Sequence, residues 1–139
     1  MPVAFPILRD QLPHPADLEA ALRGREDFLV ACENTAETEP EIVQTAIDFA
    51  QTQDGQALLD AIFGNSPFLT QCLLREPSWL GRMCLEGTSA LAKAVIDETR
   101  VATRQAWDDA GLMRVLRVHK RRIALTVAIG DITGSWSLY

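Results

Sequence analysis

Residues 114–122 read RVLRVHKRR, placing Arg114, Arg117, Lys120, Arg121 and Arg122 around His119. Five cations in nine residues could hold a phosphate, an RNA or an acidic protein surface. At 3.6 residues per turn Arg114, Arg117 and Arg121 share one helix face, with Lys120 and Arg122 flanking it. The five are the candidate partner-binding residues of the chain. The plainer reading is a solvated face, or pairing with the acidic front of the same chain. His119 has Val115 and Ile123 four residues to either side and no carboxylate there, which reads as a histidine at the edge of a core rather than a catalytic base.

Other groups capable of chemistry are explained by local structure. Asp108 and Asp109 stand at a helix break, where capping accounts for them, and Asp97 and Glu98 on a helix surface. Cys32, Cys72 and Cys84 form no C-x-x-C pair and are far in sequence from His14 and His119, which argues against zinc and for small buried thiols. There is no Gly-rich phosphate loop and no G-x-S-x-G. No catalytic, cofactor-binding or metal-ligating residue is assigned.

Charge is unevenly spread along the 139 residues. Residues 1–60 hold 3 Lys+Arg against 12 Asp+Glu, net −9, and residues 61–139 hold 10 against 7, net +3, for −6 in all. An acidic front half repels nucleic-acid phosphate, while the later half suits an anionic partner. The apolar run at 123–130 is far short of the roughly 20 residues of a membrane span, and the start, MPVAFPILRDQLPHP, lacks the pattern of a signal peptide. The expectation is a cytoplasmic protein that binds neither membrane nor nucleic acid.

The elements that must carry these groups are helical. Pro2, Pro6 and Pro13 make residues 1–14 an extended arm, and residues 15–139 form one domain. The first helix is expected from Pro15 to about residue 33, its apolar stripe of Leu18, Ala21, Leu22, Phe28 and Leu29 interrupted by Gly24. Pro40 opens a second helix with a face of Ile42, Val43, Ala46, Ile47, Phe49 and Ala50. Asp54 and Gly55 punctuate the chain before a short helix, QALLDAIF. Asn65 or Ser66 caps the next helix with Pro67 in its first turn, and Pro77 repeats the device; Phe68, Leu69, Leu73, Trp79, Leu80 and Met83 then face one core. An Ala-rich helix runs over 88–107, buried through Leu91, Val95 and residues 99–102. A last helix over 112–132 packs by Leu112, Leu116, Ile123 and Val127. The fold class is all-α, a bundle-like domain of six or seven helices.

Two stretches carry a resemblance. GNSPFLTQCLLREPSWL, residues 64–80, supplies Ser66, Phe68, Leu69, Arg75, Pro77 and Leu80 of an S-x-F-L…R-x-P-x-L pattern. LRVHKRRIALTVAIGDITGSW, residues 116–136, supplies Leu116, Arg117, Lys120, Ala124, Leu125, Ala128, Asp131, Ile132 and Gly134 of a second pattern. Together and in this order they resemble the N-terminal helical region of the bifunctional glutamine synthetase adenylyltransferase and adenylyl-removing enzymes. The resemblance implies a nucleotidyltransferase that moves AMP from ATP to glutamine synthetase and removes it again. Its implied partners are glutamine synthetase, the PII signal protein and the remaining domains of the same enzyme. Magnesium and ATP are implied for the full-length enzyme, where an S-x-D-x-D motif after a Gly-rich turn holds the metal. Here Gly130 and Asp131 are followed by Ile132 and Thr133, so that motif is missing. The expectation is an N-terminal piece that precedes the nucleotidyltransferase domain and supports the adenylyl-removing half. The exposed apolar ends expected at Trp136 and Tyr139 belong to the same reading. The rival is a free-standing interaction module using the face at 114–122, and an RNA-binding bundle is disfavoured by the net charge.

Overall fold

The computed structural model describes residues 7–134. It contains seven α-helices among these residues: α1 (Leu18–Thr35), α2 (Pro40–Ala50), α3 (Gln53–Phe63), α4 (Pro67–Arg75), α5 (Pro77–Glu86), α6 (Thr88–Gln105) and α7 (Asp109–Ile132). No strand occurs among the described residues, and no described helix is long and apolar enough to cross a membrane. The tightest partnerships are α2 with α5, α1 with α3, and α6 with α7. Phe28, Leu58, Ile62, Leu73, Leu80 and Met83 meet in one core, each at 1% exposure or less. Burying each of these side chains contributes about 1.5–3 kcal/mol before the cost of ordering it.

Local capping sets most helix starts. Asp17, not Pro15, begins α1: its carboxylate accepts from the Ala20 N–H at 3.0 Å, so the helix opens three residues later than Pro15 suggests. Thr52 caps α3 through the Gly55 N–H, which brings Asp54 and Gly55 inside the first turn instead of leaving them as punctuation. Ser66 caps α4 by accepting from the Leu69 N–H at 3.1 Å. Asn65 is thereby freed for a different task. Its amide donates to the carbonyls of His14 and Ala61, both at 2.9 Å, and accepts from the Ala16 N–H at 3.0 Å.

That amide stitches the start of the chain to the α3–α4 junction. Residues 7–14 are irregular apart from a single 3-10 turn, Arg9–Gln11, which lies against α3. Leu12 joins the core at 6% exposure and Arg9 pairs with Asp54 at 3.1 Å. Residues 1–6 of the expected arm, and Trp136 and Tyr139 at the other end, lie outside the described residues.

Three expected faces are revised. In α1 the buried side is Ala21, Gly24, Phe28 and Cys32, whereas Leu18 and Leu22 are exposed. Gly24 is part of the packing surface because a Cβ there would lie 2.4 Å from the Phe63 ring. In α6 the buried side ends at Val95; residues 99–102 are half-buried or exposed, and the helix stops at Gln105. In α7 the buried side is His119, Leu125, Thr126, Ile129 and Gly130, while Leu116, Ile123 and Val127 face outward. The expected series of Leu112, Leu116, Ile123 and Val127 lies beside the packed face, where Thr126 and Gly130 accompany the apolar Leu125 and Ile129.

Candidate functional site

The Glu76–Pro77 step is where α4 ends and α5 begins, and Pro77 cannot continue the α4 ladder. Glu76 closes one helix and opens the other with φ −126 and ψ 57. Its side chain is only 11% exposed and receives two arginines of α7: Arg122 Nε at 2.8 Å and Arg121 Nη2 at 3.4 Å. A buried carboxylate needs such partners, and charge-assisted bonds of this kind contribute about 1.5–3 kcal/mol each. The α4–α5 corner is thus clasped to the middle of α7.

Trp79, one turn into α5, extends the clasp. Its indole Nε1 donates to Thr126 Oγ1 of α7 at 2.8 Å. The guanidinium of Arg82 lies 4.7 Å from the ring centroid and that of Arg122 5.0 Å. Arg82 also binds Glu86 and, across to α6, Glu98, each at 2.8 Å. Hydrogen bonding to Arg82 holds the Glu98 carboxyl below its usual range against the opposing effect of burial. Glu98 is therefore more than a solvated surface residue, while Asp108 caps α7 by accepting from the Gly111 N–H at 2.7 Å.

The five candidate cations separate accordingly. Arg121 and Arg122 are engaged with Glu76, so the internal pairing runs to the α4–α5 corner and not to the acidic residues 1–60. Arg117, Lys120 and Arg121 line a groove of about 300 Å³ between α7 and α4, completed by Phe68, Gln71, Cys72 and Arg75. Arg114 lies outside it. Arg75, Arg117 and Lys120 have no acidic partner among the described residues. Phe68, expected in the core, is instead 53% exposed at the groove's edge. Arg75, Phe68 and Gln71 were not assigned to a binding face from sequence, since no spacing within α4 says that α7 lies alongside.

Burial raises the Cys72 thiol, followed by opposing contributions from Arg121, Lys120 and Arg75 that draw it down and from Glu76 that raises it. The cations of both helices therefore reach the same floor. Burial alone drives Cys84 up to about 12, and with help from Glu33 it drives Cys32 up to about 11. All three thiols are free, buried and protonated at neutral pH, which makes them poor nucleophiles. No group of three potential metal ligands occurs among the described residues.

His119 is 7% exposed and lies between two clefts, one edged by Leu116, Ile123 and Ala124, the other by Asp97, Glu98 and Arg122. Its Nδ1 has no hydrogen-bond partner. Burial, then Arg122, lower its pKa against the pull of Glu98 and Glu76. The ring is held neutral at the α6–α7 seam.

The residues present do not fit a magnesium–nucleotide site. Asp131 is exposed in the last turn of α7 with Ile132 and Thr133 after it and no second carboxylate at the spacing required. No family model matches the chain, and no solved structure matches it. Among curated proteins, the chain is similar to the bifunctional glutamine synthetase adenylyltransferase/adenylyl-removing enzyme of Rhodopseudomonas palustris (strain HaA2). The two are 35% identical over 78 residues, a stretch that takes in 56% of this chain and 8% of that protein. A region of this chain is thus related to a small region of a much longer enzyme.

Proposed function

We propose that this chain is a non-catalytic helical portion of an enzyme that adenylylates and deadenylylates glutamine synthetase, serving to support and dock its adenylyl-removing half. The observation that carries the reading is the 35% identity over 78 residues with the Rhodopseudomonas enzyme. The packing of the two resembling segments supports it: α4 and α5 from the first and α7 from the second meet through Glu76, Arg121, Arg122 and Trp79. Magnesium and ATP belong, on this reading, to catalytic domains elsewhere in the enzyme, which acts in the cytoplasm. Its partners are those domains, glutamine synthetase and the PII signal protein.

The test is binding of the purified chain, by interferometry, to immobilised glutamine synthetase in adenylylated and unmodified forms, to PII, and to the separately expressed remainder of the enzyme. Saturable binding to at least one is expected. Absence of binding to all of them, together with undiminished adenylyl removal by an enzyme lacking this region, would refute the proposal.

A further inference from the structure

We propose that the groove between α4 and α7 is a docking site for an acidic peptide segment, with its carboxylates held by Arg75, Arg117 and Lys120 and an apolar side chain seated on Phe68. Three cations without acidic partners converge there from two helices. On α7, Arg117 stands three residues before Lys120, a spacing at which like charges repel and an anion between them relieves the repulsion. Glu76, the carboxylate at the end of α4, is consumed by Arg121 and Arg122, and Arg121 Nε remains buried with no partner. Phe68 offers a half-exposed ring at the edge.

The dimensions and charge select the occupant. Arg75 comes from α4 and Arg117 and Lys120 from α7, so the groove presents cations from both of its walls. Alternate side chains of an extended peptide recur about every 7 Å and point to the same side, which suits two carboxylates in turn. A nucleic acid is disfavoured by the net charge of −6 on the whole chain, to which residues 1–60 contribute −9 with 3 Lys+Arg against 12 Asp+Glu.

The site rests on the groove alone. A chain that takes the acidic peptide without binding glutamine synthetase, PII or the remainder of the enzyme, while an enzyme lacking this region removes adenylyl groups undiminished, would refute the enzyme reading and leave this one standing.

The experiment is fluorescence anisotropy with a fluorescein-labelled Glu-Leu-Glu-Leu-Glu peptide, its glutamine counterpart, and a single-stranded oligonucleotide. Binding of the acidic peptide is expected to weaken about tenfold in the Arg117→Glu/Lys120→Glu double variant and severalfold in Arg75→Gln, and to fall as salt rises. Lys93→Glu, an exposed charge reversal on α6, is expected to bind within about twofold of the parent chain. Arg75→Gln stands as the second arm should the double variant lose its helical circular dichroism. Equal binding of the glutamine peptide, equal loss in Lys93→Glu, tighter binding of the oligonucleotide, displacement by inorganic phosphate at the peptide's own concentration, or no binding at all would overturn the proposal.

Discussion

Glu76 shows how one side chain can join three helices. Replacing it with glutamine keeps the shape but removes the charge that satisfies Arg121 and Arg122, so Glu76→Gln is expected to lower stability by about 1.5–3 kcal/mol, read from urea unfolding. His119 gives the opposite kind of sensitivity. Its native pKa lies below the ordinary 6.5, so the unfolded chain binds the proton more readily. Stability from this group is full above about pH 6.5, declines as pH falls toward the native pKa, and is gone beneath it. Unfolding followed between pH 7.5 and 5 should show that decline in the parent chain and a flatter profile in His119→Leu. The burial of His119 at a core edge was legible from its apolar neighbours at 115 and 123. The role of Glu76 was not, because its partners lie 45 and 46 positions away and nothing local announces them.

Among the elements, glycines decide how closely helices approach. A Cβ at Gly81 of α5 would lie 2.1 Å from the Ile42 carbonyl oxygen of α2, whereas one at Gly24 of α1 meets the side chain of Phe63. Alanine improves helix propensity by about 1 kcal/mol at either position, yet both substitutions are expected to destabilise, by about 1–3 kcal/mol for Gly24→Ala and more for Gly81→Ala. A ring can tilt aside, but a main-chain carbonyl yields only if the helices part. Thermal melts of the two variants give the ranking. Helix identity and most starts followed from proline and capping grammar, as at Pro40, Pro67 and Pro77. The buried faces of α1 and α7 did not follow, because glycine forms part of the first and glycine and threonine part of the second, and neither residue type marks an apolar stripe.

On the scale of the whole molecule, the inner halves of α6 and α7 belong to the packed core through Leu91, Val95, Leu125 and Ile129, whereas their outer halves lie outside it. No residue from 96 to 118 is buried, and Trp107, between α6 and α7, is 99% exposed. Amides of residues 99–118 are therefore expected to exchange hydrogen faster than those of α3 and α5, measurable by mass spectrometry on peptides. Equal protection across both would mean that another surface covers the outer halves. The all-α class and its helix count were readable from composition and punctuation, whereas the division was not, since an exposed apolar hairpin and a buried one look alike in sequence. Seen mechanically, α7 is a lever. The clasp at Arg121 and Arg122 is its fulcrum, and from there to Asp109 the helix runs about 18 Å, so a tilt of about ten degrees carries its far end about 3 Å. Beyond the clasp the inner end is held in the core by Leu125 and Ile129, each at 0% exposure, and the α4–α7 groove opens at the pivot itself.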